Sequence, residues 1–261
     1  MADDKEHKQV NAKGKNPKKS ARICEFMTYS AREAFKRLRT NAMISLGEKA
    51  EKNTIAIGVT SAQPSEGKST VAINLAYTLA ELGKSVILLD CDLRRPSIHA
   101  KMGFPQAPGL TEVLNGVENL KDTVNHYQSS TNSVWFDLIA AGDFPENPSE
   151  ILGSRNFLQL LDVARNAYDV VILDLPPVNA VIDAAVVSKL TDGLLLVIRE
   201  NHCPRFVLQD CMEQLQYAKA NILGFVLNGS VNGAGKRYQY GKAYRYEYGY
   251  YQYGQNAHNG K

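Results

Sequence analysis

From residue 54 onward the apolar residues fall into two alternating patterns. Short runs (TIAIGVT, SVILLD, FDLIAAG, DVVILDL, GLLLVIR and ILGFVLN) read as strands, SVILLD as a buried one, and several are apolar throughout. Between them, apolar positions recur at spacings of three and four, as helices require. VAINLAYTLAEL carries Val71, Leu75, Leu79 and Leu82 on one face, with Gly83 suited to its stop. Residues 148–166, IDAAVVSKL and PRFVLQDCMEQLQYAK also read as helices, and HAKMGF and LTEVLN as short helices in an irregular stretch. Upstream, a helix is expected at about 28–46. Ser30 and Glu33 have capping-box spacing there, and Phe35, Leu38, Ala42 and Leu46 form an apolar stripe. Strands that are apolar throughout, rather than alternating, suit a parallel sheet covered on both faces. The expected fold is α/β: a doubly wound, mostly parallel sheet of the P-loop NTPase kind.

The two ends break this pattern. The first twenty residues hold six lysines and almost nothing to bury. Residues 229–261 are rich in Gly, Asn, Tyr and Lys/Arg, with hardly any aliphatics. Three parts are therefore expected: a flexible basic leader at 1–27, one domain at 28–228 and a flexible tail at 229–261.

Composition narrows the picture. At 261 residues and 44% hydrophobic, the chain suffices for one sizeable α/β core. A net charge of +3 does not call for nucleic acid, and none is expected as a partner. Cys24, Cys91, Cys203 and Cys211 form no CxxC pair, so reduced thiols in a cytoplasmic protein are expected. No signal peptide and no membrane-length apolar run is evident.

The chemistry starts at SAQPSEGKST, which follows a strand and opens a helix. Ala62 to Ser69 matches the P-loop pattern with Ala62 in place of the first Gly, which is tolerable at negative φ. Ser65, Glu66, Gly67, Lys68, Ser69 and Thr70 form the expected phosphate cradle for ATP. Gly67 leaves the backbone open, Lys68 places its charge on the β- and γ-oxygens, and Ser69 ligates Mg²⁺. Asp90, Asp92 and Asp174 stand at the ends of strands, where ligands of such sheets bind. Asp174 resembles a Walker-B acid. Asp183 reads as no more than a helix-start residue.

SAQPSEGKST, VILLDCDLRRP and VVILDLPP resemble, in order, the Walker A, A′ and Walker B motifs of the bacterial tyrosine kinases of capsule and exopolysaccharide synthesis. AAGDFPENPSEIL also resembles a segment of that family. The resemblance runs from about residue 28 to the end. It implies an ATP- and Mg²⁺-dependent protein-tyrosine kinase with Asp90 as general base, and with Asp92 and Asp174 organising the metal. It implies autophosphorylation in trans of Tyr238, Tyr240, Tyr244, Tyr246, Tyr248, Tyr250, Tyr251 and Tyr253. EAFKRLR resembles the family's ring-forming Glu-x-x-Arg-x-x-Arg motif. Glu33 and Arg39 match it, while Lys36 stands where an Arg is expected and lacks the bidentate fork. Implied partners are a transmembrane activator of the polysaccharide co-polymerase type, which would recruit the kinase to the inner face of the membrane, further copies of the chain, and a cognate tyrosine phosphatase. The rival is a non-kinase ATPase switch of the partition or septum-site type. Those carry an extra P-loop Lys where this chain has Gln63.

Overall fold

The computed structural model describes residues 23–49 and 54–229. The expected leader, apart from its last residues, and the tyrosine cluster lie outside the described residues. Seven strands form one sheet: β1 (Ile55–Ser61), β2 (Val86–Asp90), β3 (Val124–Gln128), β4 (Trp135–Ile139), β5 (Val170–Asp174), β6 (Gly193–Arg199) and β7 (Ile222–Asn228). Their order is β3-β4-β2-β5-β1-β6-β7, parallel throughout except where β3 runs antiparallel to β4. β1, β2 and β5 are buried along their whole length, as the unbroken apolar runs require. The mostly parallel α/β expectation holds. The sequence pattern missed only the edge strand β3, because VNHYQ buries just Tyr127 and carries no apolar run.

The helices are α1 (Tyr29–Leu46), α2 (Lys68–Ala80), α3 (Ile98–Met102), α4 (Leu110–Leu114), α5 (Leu120–Thr123), α6 (Pro148–Leu152), α7 (Arg155–Ala167), α8 (Asp183–Ser188) and α9 (Arg205–Tyr217). They cover both faces. α1, α2 and α3 pack on one side around Leu75, Leu79 and Ile172, and α4, α6, α7, α8 and α9 on the other around Phe157, Leu173 and Leu215.

Four details depart from the pattern reading. α1 is capped by Thr28, whose Oγ1 accepts from Ala31 N at 3.4 Å, and not by Ser30; Glu33 instead pairs with Lys36 at 3.2 Å. The helical stretch expected at 148–166 is two helices: Gly153 ends the first and Ser154 caps the next, its Oγ accepting from Phe157 N. α2 is buried all round from Val71 to Ala80, since it lies between the sheet and α1. It ends before Leu82, which is exposed.

Candidate active site

The P-loop joins β1 to α2. Ser65 (φ 67°) and Gly67 (φ 96°) take left-handed backbone, whereas Ala62 does not, so an Ala in place of the first Gly carries no strain. A Cβ on Gly67 would sit 2.0 Å from Asn228 Nδ2. That amide donates to Glu66 O at 2.7 Å, so the end of β7 buttresses the loop. Glu66 is fully buried, and its carboxylate accepts from Gln63 N and Arg199 N. Arg199 Nη1 in turn donates to Ser65 O at 3.3 Å, and His202 Nε2 lies 3.1 Å from Pro64 O. The loop is thus held open from the β6–β7 side.

On the other side three carboxylates converge. Asp90 and Asp174 end adjacent strands and pair in register. Asp90 is fully buried. Oδ1 accepts from Asp92 N, and Oδ2 from Ser97 N and Ile98 N, which shapes the loop into α3. Burial first, then the negative charge of Asp174, pushes the Asp90 carboxyl up to about 7. Burial also raises Asp174, against the pull of Lys68. Lys68 Nζ lies 2.7 Å from Asp92 Oδ2 and 3.5 Å from Asp174 Oδ1. Burial would lower its pKa, but Asp174 and Asp92 together raise it, so the ammonium stays charged. Ser97 Oγ donates to Ser69 Oγ at 2.9 Å, and Lys101 Nζ donates to Ser97 Oγ.

A cavity of about 650 Å³ lies over these groups, with Gly67, Lys68, Ser69 and Asp92 in its lining. Asp90 and Asp174 lie beneath its floor. Asp174 Oδ2 is buried without a hydrogen-bond partner, which fits a cation or its bound water. Among the described residues no three His, Cys, Asp or Glu side chains form a metal cage. A metal here would therefore draw most of its shell from water and phosphate, as Mg²⁺ does. The ends of β1, β2 and β5 and the segments that follow them thus bring an ammonium, a hydroxyl and three carboxylates together at one cavity.

The structure brings Ser65 to Thr70, Asp90, Asp92 and Asp174 to this one site. It does not bring Glu33, Lys36 or Arg39 there. Arg39 Nη1 donates to Thr78 O at 2.7 Å, fastening α1 to the end of α2, while Glu33 and Lys36 stay on the surface. Sequence reasoning missed Asn228 and Arg199, although both end a strand where the ligand-end rule could have found them. It met Arg94 in the A′ stretch VILLDCDLRRP but gave it no role. Arg94 Nε lies 2.9 Å from Asp183 Oδ2, and Asp183 is fully buried rather than a plain helix start.

A family model described as an AAA domain matches residues 54–222. The chain is 35% identical over 208 residues to the tyrosine-protein kinase YwqD of Bacillus subtilis, covering 80% of this chain and 85% of that protein. It is 38% identical over 211 residues to the tyrosine-protein kinase etk of Escherichia coli, covering 81% of this chain but only 28% of that longer protein. The solved kinase domain of Escherichia coli ETK superposes with a TM-score of 0.72 at 36% identity, covering 81% of this chain and 80% of that one. A P-loop with its acidic strand ends, on a core that follows these kinases over four-fifths of its length, makes this chain a member of the bacterial tyrosine-protein kinase family.

Proposed function

We propose that the chain is a kinase that uses Mg²⁺ and ATP to phosphorylate the tyrosines of its own C-terminal cluster, Tyr238 to Tyr253, in trans. What supports this reading above all is the contact of Lys68 with both Asp92 and Asp174 at the mouth of the P-loop. It keeps a charged lysine and two carboxylates together where a γ-phosphate and its metal would lie. In this reading the backbone from Ser65 to Thr70 and the Lys68 ammonium bind the phosphates. Ser69, Asp92 and Asp174 would hold Mg²⁺ directly or through water, and its charge would be available to offset that of the phosphate oxygens. The phenol oxygen forms a bond to the γ-phosphorus as the bond to ADP breaks, and the phenolic proton passes to Asp90. An ordinary carboxylate at ~3.9 is a poor match for a phenol at ~10. Burial and the neighbouring Asp174 carboxylate raise the Asp90 carboxyl, in the direction of a better match.

Residues 28–228 are the proposed kinase domain, between a leader and an acceptor tail. Glu33, Lys36 and Arg39, all partly exposed, are the proposed contacts between copies in a ring. The biological reading is control of capsule or exopolysaccharide synthesis and export. A transmembrane activator would recruit the kinase to the inner face of the membrane, and a phosphatase would oppose it. Each phosphate adds about 1.5–2 negative charges to the tail, so full modification reverses its sign.

The test is phosphotyrosine formation by wild type and Lys68→Met with Mg²⁺ and ATP, with and without the cytosolic tail of a candidate activator, followed by mass mapping. Label within residues 238–253 of wild type, lost in the variant, is expected. Phosphate release without protein label under every condition would instead mean an ATPase switch.

A further inference from the structure

The strand order lays the cavity out along one axis. The P-loop follows β1. Arg199 and Asn228 end β6 and β7 on one side, while Arg94 and the segment from Pro176 to Val181 follow β2 and β5 on the other. In phosphoryl transfer the attacking and leaving oxygens lie roughly in line. With Asp90, Asp92 and Asp174 on the β2/β5 side, an acceptor would enter there and the nucleoside would lie toward β6 and β7.

The acceptor side has two unlike walls. One is apolar, formed by Pro176, Pro177, Ala180 and Val181, and the other is polar, formed by Arg94 with Arg95, Ser97 and Lys101. Arg94 is fixed from behind. Nε lies 2.9 Å from Asp183 Oδ2, and Nη2 lies 3.3 Å from Asp183 Oδ1 and 3.1 Å from Ser149 Oγ. The Ser149 hydroxyl donates to the same carboxylate. Asp183 is fully buried and does not reach the cavity. The loop that carries Arg94 is already held by three backbone N–H groups on Asp90, so folding it does not require this second anchor. What the anchor sets is the direction of the guanidinium.

We propose that these walls form the acceptor slot. The phenol ring of the incoming tyrosine lies between the apolar wall and the guanidinium face of Arg94, and Asp183 is the positioning residue that holds that face in place. A guanidinium stacks favourably on an aromatic ring, and a lysine in its place cannot keep the fork to Asp183. The slot selects tyrosine, because serine has no ring to fill it and too short a side chain to reach the buried carboxylates. This inference rests on the kinase reading above.

The test uses the full chain under conditions in which wild type labels protein. The acceptor is a peptide of residues 240–248 with Tyr244 as its single tyrosine and the others replaced by alanine. Arg94→Lys and Asp183→Asn are each expected to raise the peptide KM about tenfold, the loss of one stacking contact, while binding of a fluorescent ATP analogue changes less than about twofold. Retained ATP binding also shows that each variant is folded. The slot is overturned if either folded variant keeps the wild-type peptide KM, or if ATP affinity falls in step with it. It is overturned as well if the Tyr244→Ser peptide is labelled as fast as the parent. A wild type that labels no tyrosine at all would overturn the kinase reading itself.

Discussion

Gly67 shows how much one position carries. Its φ of 96° lies where side chains other than glycine are strained by about 1–3 kcal/mol. The space a methyl would need is taken by Asn228 Nδ2. Gly67→Ala is therefore expected to abolish ATP binding in a calorimetric titration and to lower the melting temperature by several degrees. Asn228→Ala, which removes the obstacle but not the φ, should restore little of either. The two residues were unequally legible. Gly67, Lys68 and Ser69 announce themselves within four positions, and Asp90, Asp92 and Asp174 end obvious strands. Asn228 ends β7 where a ligand could be expected, but its contact reaches back 162 positions to Glu66, and that partner no local pattern records. Asp183 was hidden for the opposite reason: its place at a helix start explained it locally, and its pairing with the distant Arg94 remained unseen.

At the scale of elements, strands that are apolar along their length were the most legible, because burial on both faces leaves a composition no other element shares. The ends of elements were less so. Thr28 and Ser30 are equally good caps on paper, and only the packing of α1 decides between them. β3 lacks an apolar run, since VNHYQ buries only Tyr127, whereas the opposite edge strand β7 keeps an apolar run although none of its residues is fully buried. One end contact has a measurable consequence. Asp169, just before β5, accepts from Ser85 N at 2.8 Å and Ser85 Oγ at 2.9 Å, tying the entry of β5 to that of β2. The backbone hydrogen bond from Ser85, the largest influence, lowers the Asp169 pKa. A lowered carboxyl stabilises the fold above its unfolded value of about 3.9, and that contribution disappears as pH falls through the folded value. Asp169→Ala should thus be less stable than wild type in urea titrations at neutral pH, and the gap should close only below about pH 4. A gap that stayed constant down to pH 2 would show that the carboxylate charge plays no part.

For the molecule as a whole, doubly wound packing puts every parallel strand end, and so every group of the site, on one side of the sheet. Among the described residues no helix is long and apolar enough to cross a membrane. The same packing leaves α2 enclosed by the sheet and α1, with its first residues forming the phosphate site. A helix enclosed on all sides has no shallow route to solvent. Its amide hydrogens should exchange with deuterium only when the entire domain opens, at the slowest rate in the chain. ATP bound at its first turn then protects the whole helix and not merely the loop. At a hundred times Kd, exchange across residues 71–80 should slow about a hundredfold, as mass action requires. Exchange mass spectrometry reads this directly, and rapid ATP-insensitive exchange in that stretch would mean that the nucleotide site can loosen while the rest of the fold stands.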